Sequence, residues 1–225
     1  MPANPHTSYV DRHHAGRALA ARLTQYATRD DVVVLGLPRG GVVVAAPVAA
    51  ALGAPLDVVV VRKLGLPGQP ELAMGAIAAV GGQIEVVRNE EVLRHAHVAE
   101  HVFTRVLEAE RKVLKRRADE LRADCPPVSL PGRTVLLVDD GLATGSTMRA
   151  AVAAVHRQEP AGVVVAVPVG SAETCRSLLS VVDDVVCLTV PVAFHSVGQV
   201  YVDFGQTTDD QVRRLLGAAR RPGRA

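Results

Sequence analysis

The chain is poor in aromatic side chains, in cysteine and in net charge, and these shortages limit the classes of protein to which it can belong. Its 225 residues include no tryptophan, three tyrosines and three phenylalanines, so a cluster of aromatics stands out wherever it occurs. The three cysteines are an odd number without the spacing of metal ligands, which predicts reduced thiols in a cytoplasmic protein. A formal net charge of +2 at pH 7 is too small to indicate a nucleic-acid or membrane partner.

The chain also lacks a long uninterrupted apolar run, so the sequence predicts no membrane-spanning helix. Residues 42–61 come nearest, but two prolines, a glycine and an aspartate interrupt them. Their change from Ala-rich to Val-rich favours a buried helix followed by a buried strand. The first residues lack the basic start and apolar stretch of a signal peptide, which agrees with a cytoplasmic location.

What the sequence does contain is an alternation of apolar strands with helices. Strands are predicted at 31–37, 57–62 and 184–190, helices at 11–27, 42–52, 97–123 and 208–217, and strand–helix units at 134–157 and 162–181. This alternation predicts right-handed βαβ units and a parallel sheet with helices on both faces, which is an α/β fold.

The segment between the second strand and the long helix departs from this alternation. Residues 63–72 hold two prolines and two glycines, which predicts a mobile loop. Residues 73–80 and 83–88, joined by Gly81-Gly82, predict a β-hairpin. The basic residues between 111 and 117 alternate with acidic ones, which predicts a solvated, partly paired face of the long helix.

The most informative segment is 135–147, Val-Leu-Leu-Val-Asp-Asp-Gly-Leu-Ala-Thr-Gly-Ser-Thr. An apolar strand delivers Asp139 and Asp140 to the carboxyl edge of the sheet, where ligands bind in such folds. The hydroxyl-rich turn at 144–147 opens a helix, whose first N–H groups could cradle a phosphate. Ribose 5-phosphate would suit two carboxylates beside a phosphate seat. The alternative is an ordinary corner at which these side chains only cap the helix.

This segment resembles the phosphoribosyl-pyrophosphate (PRPP) signature of type I phosphoribosyltransferases. The resemblance implies that Asp139 and Asp140 are catalytic and hold the ribose hydroxyls, directly or through Mg²⁺. It also implies a set of PRPP-binding residues around the turn: Gly141, Ala143, Thr144, Gly145, Ser146 and Thr147. The main departure is Gly141, where the family usually has a larger apolar residue.

A second departure concerns the acceptor. The 6-oxopurine enzymes of the family carry an aspartate two residues before the glycine of the motif, whereas this chain has Ala143 there. Adenine-type enzymes carry alanine at that position. The resemblance therefore argues against hypoxanthine or guanine without establishing adenine.

Basic residues follow the first two core strands. Arg39, Gly40 and Gly41 are similar to the short pyrophosphate-binding turn of the family, and paired glycines allow close approach of a ligand. The resemblance also implies that Arg39 and Lys63 are catalytic and face the pyrophosphate. It further implies that the loop after Lys63 closes over the site and excludes water. The alternatives are a plain tight turn and a solvated strand end with a passive loop.

Three of the six tyrosine and phenylalanine residues fall after the last core strand, at 194, 201 and 204. Type I enzymes build a variable hood for the acceptor there, and the spacing of this segment differs by one residue from that of the 6-oxopurine enzymes. Acceptor contacts are predicted for Phe194, Val197, Tyr201 and Asp203. A packing cluster that closes the sheet edge is an equally good interpretation.

The resemblance implies a type I phosphoribosyltransferase fold, a central parallel sheet flanked by helices with a small C-terminal hood. We expect one domain at 1–217, with its core at about 31–190, an inserted loop, hairpin and helix at 64–123, the hood at 191–206 and a disordered tail at 218–225. The arrangement is most similar to bacterial phosphoribosyltransferases whose acceptor is unassigned.

The expected function is the joining of a nitrogenous base to ribose 5-phosphate with release of pyrophosphate. The alternative is a regulator that binds PRPP or a nucleotide without turnover, because a fold does not fix a function. The expected ligands are PRPP, Mg²⁺ and a small heterocyclic acceptor, with no nucleic acid and no membrane. A homodimer is a possible assembly.

Overall fold

In the computed structural model, residues 8–123 and 125–219 are described, and five parallel strands form the central sheet. In spatial order they are β2 (Leu56–Val58), β1 (Val32–Gly36), β6 (Thr134–Val138), β7 (Gly162–Val169) and β8 (Asp184–Thr189). The registers are unbroken across β1, β6 and β7, with Val34 opposite Leu136 and Leu136 opposite Val164. Every residue of β1 and β6 is buried, as expected for strands covered on both faces. The predicted α/β fold is confirmed.

Helices cover the two faces of the sheet, and the side chains of each strand alternate between them. Val32 and Val34 belong to a core shared with α2 (Gly40–Leu52), α4 (Glu100–Arg122) and α7 (Asp209–Ala219). Val33 and Leu35 pack on the other face, against α5 (Ser146–His156) and α6 (Ala172–Leu178). Because helices cover both faces, the side chains on both faces are apolar, and each strand is therefore a continuous apolar run in the sequence.

A second, antiparallel sheet corrects the secondary structure predicted for residues 57–72. The predicted strand 57–62 is divided at Val59 between β2 of the central sheet and β3 (Val60–Leu66), and β4 (Gln69–Val80) follows. The segment 63–72 is therefore a hairpin with its turn at Pro67-Gly68, not an irregular loop. The register between β3 and β4 shifts at Leu64 to Leu66, which interrupts the alternation of side chains expected of a strand. The buried side chain of Leu64 anchors the hairpin. β5 (Gln83–Arg88) completes the sheet through Gly81-Gly82, which confirms the predicted hairpin.

The ends of several helices differ from their predicted bounds. The helix predicted at 11–27 is α1 (Arg12–Ala20) followed by a 3-10 turn at Thr24–Tyr26. Helix α3 (Glu90–His95), which Asn89 caps, was not predicted. The long helix predicted at 97–123 begins only at Glu100. Helix α7 extends through Ala219, so the tail predicted at 218–225 is wrong for its first two residues, and 220–225 lie outside the described residues. Among the described residues no helix has the length and apolar character needed to cross a membrane.

The inserted helix α4 is fastened to the central sheet by a buried ion pair. The Asp57 carboxylate accepts hydrogen bonds from Arg122 Nε (3.0 Å), Val58 N (2.7 Å) and Val128 N (3.0 Å). The side chains of Asp57 and Arg122 are 1% and 9% exposed. Because a carboxylate without its cation is costly in the protein interior, this pair fixes where the end of α4 sits.

Replacement of Arg122 by methionine is expected to destabilise the fold strongly. The variant removes the Arg122 guanidinium from the buried Asp57 carboxylate, and the loss of one member of a buried ion pair costs about 3–5 kcal/mol in comparable proteins. Urea denaturation measures the loss, with Arg116→Met as the control, because the Arg116 side chain is 72% exposed on the same helix. Equal free energies of unfolding for the two variants would contradict this account.

The segment predicted as the hood pairs with residues near the start of the described chain. Tyr9 N donates to Val200 O (2.7 Å), Val202 N to Tyr9 O (2.8 Å) and Asp203 N to Val10 O (2.9 Å). The side chain of Tyr9 is buried, and its hydroxyl is bonded to Pro168 O and Thr189 Oγ1. The hood predicted at 191–206 therefore rests on a segment that the sequence did not associate with it.

Candidate active site

The acidic pair lies at the carboxyl edge of the central sheet, where the motif predicted it. Strand β6 ends at Val138, and Asp140 N donates to Asp139 Oδ1 (2.8 Å). Arg12 Nε of helix α1 donates to Asp140 Oδ2 at 2.7 Å. Burial raises the pKa of the Asp139 carboxyl well above its usual range, and the Asp140 carboxylate raises it further. The two neighbouring acids thus have different environments, since Asp140 is paired with a cation and Asp139 is partly buried beside the Asp140 carboxylate.

The first turn of α2, which begins with Gly40 and Gly41 and is called the glycine turn below, packs directly against the acidic pair. A Cβ atom on Gly40 would lie 2.0 Å from Asp140 Oδ2, and one on Gly41 would lie 2.8 Å from Asp139 Oδ1. These separations are far below van der Waals contact, so only glycine fits at either position. The two motifs that the sequence placed on one sheet edge are in contact.

The turn before α5 leaves the amino end of that helix open to a ligand. The side chains of Thr144, Ser146 and Thr147 are exposed, and Gly145 at the N-cap adopts φ +72°. Among the described residues no side chain caps α5, so the first N–H groups of this 11-residue helix are left for another acceptor. This observation disfavours the alternative in which the motif only caps the helix.

The hydroxyl-rich turn at 143–147 is held from behind by α6. Thr174 Oγ1 donates to Ala143 O at 2.6 Å, and a Cβ atom on Gly145 would lie 2.5 Å from Thr174 Cγ2. The backbone of the turn is therefore fixed on its protein side while its hydroxyl groups face outward. Such preorganisation suits the binding of an anion by backbone N–H groups.

The departure at Gly141 has a structural reason. A Cβ atom there would lie 2.5 Å from Val197 Cγ1 and 2.9 Å from Val169 Cγ1. Val197 belongs to the 3-10 turn of the hood at Val197–Val200. The hood side chain thus occupies the space that the larger family residue would fill.

A cavity of about 520 Å³ opens beside the glycine turn and is lined by basic side chains. Its walls include Arg39, Arg62 and Thr147, together with Arg117 of α4 and Asp209 of α7. Arg62 is hydrogen-bonded to Glu110, and Arg117 donates through both terminal nitrogens to the Asp209 carboxylate. Of the residues between 111 and 117, Arg117 therefore departs from the solvated face that the sequence predicted.

Lys63 does not line this cavity. It shares a face of β3 with Val61, which does line the cavity, but it lies further toward the hairpin turn. Its Nζ is 3.4 Å from Glu71 Oε2 on β4. The structure thus brings Arg39 and Thr147 together with Arg62 and Arg117, and leaves Lys63 outside.

The residues predicted to contact the acceptor are divided between different surroundings. The Tyr201 hydroxyl donates to Asp140 O (2.7 Å), and its ring stacks on Phe204 at 4.9 Å. Arg12 covers the Phe204 ring at 3.8 Å and donates to Gly205 O. Tyr201 and Phe204 thus support the acidic pair, in agreement with the packing alternative.

The other three predicted acceptor residues do not gather at one point. Val197 contacts Gly141, whereas Phe194 is half-buried in the packing cluster of Tyr9. The Asp203 carboxylate accepts from Gly205 N (2.8 Å) and lines a separate cavity of about 220 Å³. Of these three residues, Val197 packs against the segment that carries the acidic pair, at Gly141.

Sequence reasoning missed Arg12, Tyr9, Arg117 and Asp209. Each comes from a segment far along the chain from the residue that it contacts, such as Arg12 with Asp140 and Arg117 with Asp209. No motif spacing links such pairs. For Arg117 the only signal was a basic side chain on a helix that also carries acidic ones.

The donor set suits a magnesium ion that is held largely by a substrate. Among the described residues, no cluster of three or more His, Cys, Asp or Glu side chains could hold a metal. Mg²⁺ commonly binds through one or two carboxylates plus substrate phosphates and retains several waters. Asp139 and Asp140 supply such carboxylates, although Asp140 is already bonded to Arg12.

Comparison with known proteins places this geometry in a family. A family model described as a phosphoribosyl transferase domain matches residues 7–204. Curated relatives from two strains of Mycobacterium tuberculosis, each named "putative phosphoribosyl transferase", are 46% identical over 213 residues, which is 95% of this chain and 47% of theirs. The chain therefore spans about half the length of the curated relatives it matches.

One of the solved structures compared shares the fold of this chain. The crystal structure of TT1426 from Thermus thermophilus is 45% identical, covers 93% of this chain and 97% of its own, and superposes with a TM-score of 0.82. A purine phosphoribosyltransferase from Pyrococcus horikoshii is 19% identical over 88% of this chain and 92% of its own, with a TM-score of 0.44. At that distance nothing about the base is transferred to this chain.

Proposed function

Because the chain belongs to the family of phosphoribosyl transferase domains, we propose that it transfers the phosphoribosyl group of PRPP to a ring nitrogen of a heterocyclic acceptor and releases pyrophosphate. One observation carries the proposal. The acidic pair, the glycine turn and the uncapped amino end of α5 meet at one sheet edge, with Gly40 and Gly41 packed against Asp140 and Asp139. This arrangement offers carboxylates for sugar hydroxyls and N–H groups for a phosphate within one site.

Each part of the site would have one task. The turn from Ala143 to Thr147 would bind the 5-phosphate through backbone N–H groups and hydroxyls. Asp139 and Asp140 would hold the ribose hydroxyls, and their negative charge would stabilise the positive charge that develops at C1. Mg²⁺, when bound, would neutralise the diphosphate and thereby improve it as a leaving group.

In the reaction, the bond from C1 to the diphosphate oxygen breaks and a bond from the acceptor nitrogen to C1 forms. The acceptor nitrogen loses its proton, and the diphosphate leaves with the electron pair. Arg39 and Arg62 line the cavity that would receive the diphosphate. Positioning and fixed charges would supply most of the rate enhancement.

Lys63 could join the diphosphate only if the β3–β4 hairpin moved. Its ammonium group is next to Glu71 on the exposed side of that hairpin. We propose that this hairpin takes the covering role expected of the loop at 63–72. Ala143, which replaces the aspartate of the 6-oxopurine enzymes, makes hypoxanthine and guanine poor candidates as acceptors.

A regulator that binds PRPP without turnover is the second candidate. The observation that favours it is the aromatic cluster, because the Phe204 ring is stacked on Tyr201 and covered by Arg12. These two contacts occupy positions on the Phe204 ring at which a planar base would stack. Binding and turnover must therefore be measured separately.

The proposed function is tested in two steps. PRPP with Mg²⁺ should raise the melting temperature of the chain, since a ligand at 100 times its Kd stabilises the folded state by about 2.7 kcal/mol. Pyrophosphate release is then measured across purine, pyrimidine and pyridine acceptors. Asp140→Asn should abolish release, whereas Asp30→Asn, an exposed position before β1 at the opposite sheet edge, should not.

The outcomes separate the candidates. Release that depends on Asp140 supports the transferase. Tight PRPP binding without release for any acceptor supports the regulator. Absence of protection by PRPP and Mg²⁺ refutes both.

A further inference from the structure

The cavity beside the glycine turn contains one feature that the proposed transfer does not use. Asp209, at the start of α7, projects a carboxylate among the arginines of a cavity suited to an anion. Arg117 Nη2 is 2.6 Å from Asp209 Oδ1, and Arg117 Nη1 bonds the other carboxylate oxygen. Arg39 Nη1 lies 4.0 Å from Asp209 Oδ1. One carboxylate thus faces two guanidinium groups at the same time.

We infer that Asp209 is an internal competitor for the diphosphate of the substrate, and that Arg117 of the inserted helix binds this diphosphate when Asp209 gives way. The inference rests on the proposed function and extends it to a residue outside the βαβ core. Arg117 presents two parallel N–H donors, a fork that matches two phosphate oxygens as well as two carboxylate oxygens. A diphosphate can therefore replace the carboxylate without rearrangement of the arginine.

The exposure of the three side chains allows such an exchange. Arg39, Arg117 and Asp209 are 47%, 29% and 32% exposed, so all three can be reached from the cavity. The bond from Arg117 holds the pKa of the Asp209 carboxyl below its usual range, so Asp209 stays charged and competes as an anion at neutral pH. An exposed ion pair of this kind contributes little to stability and can be exchanged at low cost.

The competing interpretation is that the pair only fastens α4 to α7. The two interpretations predict different signs for the loss of the carboxylate. A fastening pair, when lost, lowers stability and leaves anion binding unchanged. A competing carboxylate, when lost, frees Arg117 and Arg39 and strengthens anion binding.

The experiment measures the Kd of inorganic pyrophosphate, and separately of PRPP, with Mg²⁺ by isothermal titration calorimetry on the full chain. Asp209→Asn should bind pyrophosphate about threefold to tenfold more tightly, because two guanidinium groups lose an intramolecular anion. Arg117→Gln should bind it at least about tenfold more weakly, because the fork is lost. A gain of affinity in Asp209→Asn cannot arise from unfolding.

Two neighbouring variants serve as matched controls. Asp210→Asn removes the same charge from the same first turn of α7, but Asp210 is 73% exposed and pairs with Arg213. Arg116→Gln removes the same charge from α4, where Arg116 is 72% exposed beside Glu120. Each should change the Kd by less than about twofold at 0.15 M salt, where exposed charges are screened beyond about 8 Å.

The results distinguish this inference from the proposed function. If the unaltered chain binds PRPP and pyrophosphate while Asp209→Asn and Arg117→Gln bind pyrophosphate as their controls do, only the role of the pair is refuted. If Asp209→Asn binds pyrophosphate more weakly than the unaltered chain, the proposed competition between Asp209 and the diphosphate is likewise refuted. If the unaltered chain binds neither ligand, both the inference and the proposed function fail.

Discussion

Asp139→Asn is expected to lower pyrophosphate release by about 10²–10³-fold, the usual loss when one electrostatic group of an active site is removed, and yet to stabilise the fold at neutral pH. The loss of activity follows from the removal of the carboxylate that, in the proposed substrate complex, would face the developing positive charge at C1. The gain of stability follows from the surroundings of Asp139. Burial and the Asp140 carboxylate raise its pKa, so its ionised form is unfavourable in the folded chain.

The sign of the pH dependence follows from proton binding. A carboxyl group whose pKa is raised on folding binds more protons in the folded chain than in the unfolded one. The free energy of unfolding therefore falls as the pH rises from the unfolded pKa of about 3.9 through the raised folded value. Asparagine carries no charge and still offers an oxygen to Asp140 N, so Asp139→Asn should lack this fall.

Urea denaturation between pH 5 and pH 8 measures the effect, with Asp140→Asn as the comparison. Asp140 is paired with Arg12 at 2.7 Å, and both side chains are less than one-fifth exposed. Removal of that carboxylate leaves Arg12 without its ion-pair partner and should destabilise the fold. At pH 7.5 we expect Asp139→Asn to raise the free energy of unfolding and Asp140→Asn to lower it. A lower free energy of unfolding for Asp139→Asn than for the unaltered chain would contradict the account.

The parts of the site that the sequence predicted are those coded by short, local patterns. The segment 135–147 contains its own strand, its acids and its phosphate turn, so the distance between these groups is fixed by the adjacent backbone. Gly40 and Gly41 follow a strand that pairs in parallel with β6, and parallel pairing places the two carboxyl ends together. The contact between the motifs was thus predictable, although its closeness was not.

The parts that were missed depend on packing between distant segments. Arg12 reaches Asp140 because α1 lies beside the hood, and Arg117 reaches the cavity because the buried pair of Asp57 and Arg122 fixes the end of α4. Such placements follow from tertiary contacts that no local period encodes. The hairpin at 63–72 was missed for a different reason. Its prolines and glycines belong to a turn and to shifted register rather than to an irregular loop.

The second large effect is expected for Gly40→Ala, a change of one methyl group. The new Cβ would lie 2.0 Å from Asp140 Oδ2 and 2.8 Å from Arg12 Nε. Arg12 is held by its bond to Gly205 O and by its packing on Phe204, and the Asp140 carboxylate can move away only by lengthening its bond to Arg12. Overpacking of this kind costs about 1–3 kcal/mol, which exceeds the gain of up to about 1 kcal/mol from the higher helix propensity of alanine.

The collision falls on the acidic pair itself, so binding should suffer more than stability. Calorimetry with PRPP and Mg²⁺ should show an affinity at least about tenfold lower, since displacement of the site geometry by about 1 Å can cost that much or more. Gly217→Ala is the matched control, because a Cβ on Gly217, inside α7, would lie within 4 Å of no described residue outside its own stretch of helix. It should bind PRPP as the unaltered chain does and gain about 0.5–1 kcal/mol of stability. If Gly40→Ala keeps its affinity for PRPP, the glycine turn and the acidic pair do not form one binding site.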